Sequence, residues 1–456
     1  MKILISVLAG LLALTESVVT GSQEKGFETL QWLGANSPWF AGPNVFGISE
    51  EVPSGCKVEQ AAQCSYIVRH GSRYPDPGAY QEWQAFSSKI KSSNMTATGP
   101  LEFLSSWSPV PVEIGQLSVT GYAELYTLGT TLRFRYPEFY SPNTPFSLWA
   151  NDYPRTIDSV RLFARGYLGP NSSLADVYVI DPKDPRSVMN SLAPSDLCPL
   201  YRDDSGNQTK VWDGIYLPPI KRRLRSYLTG TELSNSEIGL IPYLCGFETQ
   251  ITGRQSPFCG IFEKEEILQY EYRQDLRYWH GTGPGSGLES TMMLPFLTSL
   301  VDLFTTGQQP RNNSSGFSTP PLTVAFTHDN QINQLAAAVG VFDAQRELSP
   351  DKPDPNRIFT SSRINPMRGT VTLENLKCSG SNYIRIKLND AVYPIPTCQN
   401  GPGRTCPLDT YAKLIRAKNQ AAGDWKKNCG VAGTGDEVTE SFFKKVDVPW
   451  IRVVKP

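Results

Sequence analysis

Histidine is scarce in this chain, with three among 456 residues. No two of them are spaced His-x-x-x-His, and no two cysteines have the short spacing of a zinc site. A zinc centre therefore has no support in the sequence. The Gly-x-Ser-x-Gly elbow of serine hydrolases is missing as well. Net charge is nearly absent: 43 Lys+Arg against 44 Asp+Glu leave −1. Nothing in that balance suggests nucleic acid as a partner. Beyond the first residues no segment reaches the roughly 18 uninterrupted apolar residues of a membrane span. The C-terminal stretch Val446 to Pro456 has no hydrophobic tail for a lipid anchor.

What is present points to secretion. Lys2, the apolar run Ile3 to Leu14, and small and polar residues to about Gly21 form a signal peptide over 1–21. Five glycosylation sequons begin at Asn94, Asn171, Asn207, Asn312 and Asn313, the last two overlapping. There are nine cysteines, so in an oxidising compartment at least one stays unpaired. Cys64 is expected to be that one, buried in a strand as a small core hydrophobe.

Length and pattern imply two or three lobes. Residues 22–55 read as an extended, turn-rich arm. Strands are expected at Tyr66–Val68, Phe146–Ala150, Ala175–Ile180, Leu322–Phe326, Thr370–Leu376 and Tyr383–Leu388, the last two closing the sheet. Helices are expected over Leu117–Tyr136, from Pro154 onward, over Leu288–Phe304 and over Gln331–Val339. In the first, Tyr122, Leu125, Tyr126, Leu128, Leu132 and Phe134 make a broad apolar face. The middle, 196–290, shows helical periodicity and no strands, as in Val211–Leu228 and Lys264–Tyr278. That suggests an all-α lobe inserted into an α/β body. The run Gly281 to Gly287 lacks the Walker lysine and reads as a turn between lobes.

Two of the three histidines stand just past expected strand ends. His70 lies between Arg69 and Arg73, and His328 is followed by Asp329. A strand end is a rigid platform for catalytic groups. Guanidiniums beside an imidazole suit a phosphate better than a core. Arg155, in the first turn of the helix opened by Pro154, sits where the helix dipole favours an anion. His280, in the Trp279–Gly281 segment, reads as structural. A nucleophilic histidine, several arginines, a second histidine and a carboxylic acid suit phosphoryl transfer through a phosphohistidine.

The stretch Arg69-His70-Gly71-Ser72-Arg73-Tyr74-Pro75 resembles the Arg-His-Gly-x-Arg-x-Pro signature of the histidine acid phosphatases. His328-Asp329 resembles their second motif, and Arg155 falls where they carry a third phosphate-binding arginine. The likeness extends over nearly the whole mature chain and is strongest to the secreted fungal acid phosphatase and phytase branch. It implies a mixed-sheet α/β domain (22–75, 116–195 and 288–456) with a smaller helical cap (76–115 and 196–287). It implies His70 as nucleophile and Asp329 as acid. Arg69, Arg73, Arg155 and a protonated His328 would be the phosphate ligands. It also implies disulfides Cys56–Cys378, Cys198–Cys429, Cys245–Cys259 and Cys398–Cys406. No metal or cofactor is expected, because the guanidiniums take the role of a cation.

Substrate is less legible. Asp196 to His280 holds 12 acidic and 10 basic residues, and Asp76 to Gly115 holds 4 and 2. A cap so composed is not basic, as a site dedicated to phytate should be. Ser72, the open position of the motif, adds no charge, and Lys221-Arg222-Arg223 reads as a solvated helix face. The expectation is a broad acid phosphatase acting on small phosphate monoesters, possible phytate included. A dedicated phytase is the alternative. A phosphoryl mutase, or a fold kept only to bind phosphate or glycan, fits less well.

Overall fold

The computed structural model describes residues 27–58, 64–184, 186–187, 191–306, 320–431 and 441–456. The expected signal peptide and the sequons at Asn312 and Asn313 lie outside the described residues. Apolar runs with little polar interruption make strands buried on both faces, and parallel sheets need such strands. Four of them form the centre of the sheet: Cys64–Arg69, Leu322–Thr327, Phe146–Asn151 and Ala175–Ile180, side by side and parallel. Their side chains alternate between two cores, as the pleat requires. Tyr66, Val68, Leu148, Val324 and Phe326 pack with Leu125, Leu132, Val160 and Phe163 from helices Val119–Arg135 and Pro154–Leu168. Ile67, Trp149 and Ala325 belong to the opposite core, with Leu297, Leu300, Ile332 and Leu335 from helices Leu294–Thr306 and Asp329–Ala338.

Antiparallel strands flank this centre. Thr370–Cys378 pairs with Cys64–Arg69 and is followed outward by Ser381–Leu388 and Ala391–Tyr393. At the opposite edge Ile451–Val454 pairs with Ala175–Ile180. The sheet thus extends beyond the strands expected from the sequence. In register, Arg69 faces Thr327 and Ala150 faces Phe326. The three strands therefore end at one level, and the turns carrying His70, His328 and Arg155 leave from a common edge. Open α/β sheets bind ligands at such an edge.

Segments 76–115 and 196–287 pack on each other. The former holds helix Pro77–Ser92; the latter holds Gly206–Arg225, Asn235–Thr252 and Lys264–Gly281. Trp83 meets Tyr243 and Phe247 edge-on, with centroids 6.0 and 5.8 Å apart. The expectation of an all-α lobe needs one correction. Thr96–Ala97 and Leu228–Thr229 form a short antiparallel ladder tying the two segments together. Helix Pro77–Ser92, not among the helices expected from the sequence, buries Trp83, Phe86 and Ile90 at helical spacing.

The broad apolar face expected on the Val119–Arg135 helix is narrower. Leu125, Leu128 and Leu132 are buried, but Tyr122 and Tyr126 are exposed and Phe134 is 85% exposed. Spacings of three and four keep the leucines on one stripe, and the aromatics fall outside it. The four expected disulfides are present, and Cys64 is a buried free thiol. Burial pushes that thiol's pKa up, which makes it unreactive. Asn94 and Asn207 are exposed, while Asn171 is half-buried with Nδ2 donating to the Tyr140 hydroxyl. Among the described residues no helix is long and apolar enough to cross a membrane.

Candidate active site

The Cys64–Arg69 strand delivers His70 to the sheet edge, and the backbone then locks it. The His70 N–H donates to the Thr327 carbonyl, and the His70 carbonyl accepts from the Arg368 N–H. Gly71 lets the loop approach the Val119–Arg135 helix. A Cβ there would lie 2.2 Å from a Leu125 methyl and 2.9 Å from the Gly121 carbonyl. His70 is buried, and its Nδ1 lies 2.9 Å from the Gly71 carbonyl oxygen. A carbonyl can only accept, so Nδ1 carries the proton and Nε2 of the neutral ring keeps its lone pair.

The structure gathers the other sequence-selected residues around this ring. The His328 ring stands edge-on to His70 at 5.5 Å and to Tyr153 at 4.7 Å. Arg69 is buried, and its Nη1 donates to the carbonyls of Ala35 (2.7 Å) and Asn365 (2.8 Å). The N-terminal arm thus steadies a guanidinium. Arg73 Nη2 donates to Asp76 at 2.9 Å. Arg155 occupies the first turn of Pro154–Leu168, and its backbone carbonyl accepts from Ser159 Oγ. Ser159 Oγ in turn accepts from the Gly71 N–H, linking the third arginine's helix to the His70 loop.

The electrostatics follow from this crowding. Burial, then Arg155, Arg69 and Arg73, lower the His70 pKa well below the usual imidazole value. A buried imidazole among cations resists protonation. His328 behaves alike: burial and Arg155 lower it to about 3, against the opposing pull of Asp329. The expectation of a protonated His328 is therefore corrected for the resting site, where its ring is neutral in mild acid. Burial disfavours ionised Asp329, but Arg69, Arg277 and the Tyr278 hydroxyl outweigh it and hold the carboxyl well below the usual range.

Some residues of the site escaped the sequence. Tyr278 donates to Asp329 Oδ2 at 2.5 Å, and Arg277 packs over the Tyr278 ring. Nothing local marks these two residues, since 51 positions separate Tyr278 from Asp329. Ser72, taken as an open position near substrate, is buried and turned away. Its N–H and Oγ donate to Glu124, at 2.7 and 2.8 Å. The Lys221-Arg222-Arg223 run is tied to acids: Lys221 to Glu232, and Arg223 to Glu263 and Glu266. His280 is structural, its Nε2 within 2.9 Å of the Leu348 carbonyl oxygen.

A cleft of about 990 Å³ lies between helices Pro77–Ser92, Gly206–Arg225, Asn235–Thr252 and Lys264–Gly281. Arg277 and Tyr243 line it; the Arg277 charge acts on Asp329, and the Arg73 charge reaches the Tyr243 hydroxyl.

Known proteins share this architecture. A phytase of Candida albicans is 27% identical over 422 residues, covering 90% of this chain and 88% of its own. An acid phosphatase of Komagataella pastoris is 29% identical over 442 residues, covering 91% and 90%. The crystal structure of the phytase from D. castellii superposes with a TM-score of 0.82 at 24% identity, covering 92% of each chain. Residues 62–389, which hold every turn assembled above, match the family model of the histidine phosphatase superfamily, branch 2. The chain belongs to that branch of the histidine phosphatase superfamily.

Proposed function

We propose that the chain is a secreted hydrolase of phosphate monoesters that works in acid through a phosphohistidine at His70. The observation that carries this reading is the His70 ring: Nδ1 is engaged by the Gly71 carbonyl and Nε2 is left nucleophilic among three arginines. Nε2 forms a bond to phosphorus as the bond from phosphorus to the ester oxygen breaks. Arg69, Arg73 and Arg155 hold the phosphoryl oxygens, with His328 as a further partner. Asp329 gives its proton to the leaving alcohol, then takes one from the water that cleaves the phosphohistidine. In the resting site Asp329 is anionic. A bound phosphate offsets the guanidiniums that lower its pKa, which makes a protonated carboxyl accessible in acid. Segments 76–115 and 196–287 act as the cap over the leaving group.

Broad specificity is favoured over a dedicated phytase. Two cations on the cleft wall are already matched there: Lys89 with Glu237 at 2.7 Å, and Arg273 with Asp213 at 2.9 Å. Arg277 acts on Asp329 and Tyr278. Walls so paired offer little to a second or third phosphate. The dedicated-phytase reading is carried by the name of the Candida albicans relative.

The test is turnover of p-nitrophenyl phosphate and phytate at acidic pH. The expected result is chelator-insensitive release of phosphate, abolished by His70→Ala, with the monoester preferred. Wild-type activity in His70→Ala would sink the nucleophile assignment. Asp329→Asn is expected to slow alkyl esters more than the nitrophenyl ester.

A further inference from the structure

The catalytic loop does not hold Asp329 by itself. Asp329 Oδ2 accepts from the Tyr278 hydroxyl at 2.5 Å and lies 3.9 Å from Arg69 Nη2. Tyr278 belongs to the last turn of helix Lys264–Gly281, 51 positions before Asp329 in the chain. Its ring is buried, and Arg277 Nη1 donates to its hydroxyl oxygen at 3.2 Å. An arginine cannot accept and a phenol has a single proton, so that proton must point to Asp329. The acid's own helix grips this turn in return. Asn333 Nδ2 donates to the Tyr278 carbonyl at 2.7 Å and to Thr282 Oγ1 at 2.8 Å. Asp329 Oδ1 has no hydrogen bond among the described residues.

We propose that Tyr278 is a positioning residue for the acid: by occupying Oδ2 it assigns the transferable proton to Oδ1. The inference rests on the phosphomonoester reading given above. In the step concerned, the Oδ1 proton moves to the ester oxygen as the phosphorus–oxygen bond breaks and the phosphorus–Nε2 bond forms. The carboxylate left behind keeps the phenol hydrogen bond at Oδ2. A nitrophenolate leaves without a proton, whereas an alkoxide does not. Misplacing the acid should therefore cost the two ester classes unequally.

The experiment compares kcat/KM for p-nitrophenyl phosphate and glycerol phosphate in wild type and Tyr278→Phe. The variant keeps the ring and loses only the hydroxyl. Glycerol phosphate is expected to lose about tenfold and the nitrophenyl ester less than about threefold. In an Asp329→Asn background, Tyr278→Phe should add no further discrimination between the esters. Equal losses for both esters, or a full additional loss in the double variant, overturn the inference alone. A wild-type protein that releases phosphate from neither ester overturns the functional reading and this inference with it.

Discussion

Two residues in the site illustrate how much a side chain's neighbours decide. His70 is neutral because burial and three cations disfavour its proton, Arg155 having the largest effect of the three. Removing Arg155 should let the ring bind a proton at higher pH. The acid limb of kcat/KM for Arg155→Ala should move up by about one pH unit, and a pH–rate profile measures this. Ser72 shows the converse. It stands inside the motif yet spends its N–H and Oγ on Glu124, which also accepts from the Trp39 N–H. Ser72→Ala should leave the ratio of phytate to nitrophenyl phosphate turnover unchanged. It should cost about 1–2 kcal/mol of stability, read from denaturant unfolding.

At the level of elements, the His70 loop and the helix behind it touch backbone to backbone. A Cβ on Gly121 would lie 2.0 Å from the Ser72 carbonyl oxygen, while one on Gly214 would meet nothing within 4 Å. Both glycines are helical. Gly121→Ala should destabilise by at least about 2 kcal/mol and cut activity, because the loop must move. Gly214→Ala should gain up to about 1 kcal/mol from helix propensity alone. Thermal melts and turnover of the pair separate contact from propensity. The central strands were legible because their apolar runs are local. Helix Asn235–Thr252 was not singled out, although Ser234 and Glu237 form its capping box. Its interior Pro242 and its buried Glu248 and Gln250 obscure the simple pattern.

Across the whole molecule, one buried acid joins helix Lys264–Gly281 to the N-terminal arm. Glu271 accepts from the Gly34 N–H at 3.0 Å and the Ser362 N–H at 3.1 Å. The neighbouring Ala35 carbonyl steadies Arg69. Burial, then Asp275, raise the Glu271 pKa above the ordinary glutamate value. A raised folded pKa means that the unfolded chain gives up this proton first as pH rises. The contribution is whole below about pH 4.3 and is lost as pH climbs through the raised value toward neutrality. The thermal midpoint should fall over that window. Glu271→Gln should flatten the slope while lowering the midpoint in acid, as melts across the pH range would show.

The sequence by itself determined the loop with His70 between two arginines, the second histidine with its aspartate, the central strands and the helical middle. Each is written in residues adjacent in the chain or repeated at a fixed period. The tertiary structure alone decided which turns share an edge, that Ser72 faces Glu124, and that His328 rests neutral. It alone brought Tyr278 to Asp329 and Ala35 to Arg69. Those facts depend on distances between residues tens to hundreds of positions apart and on the burial they share. A burial-driven pKa or a hydrogen bond between distant segments has no counterpart in local order, so only the folded chain could supply it.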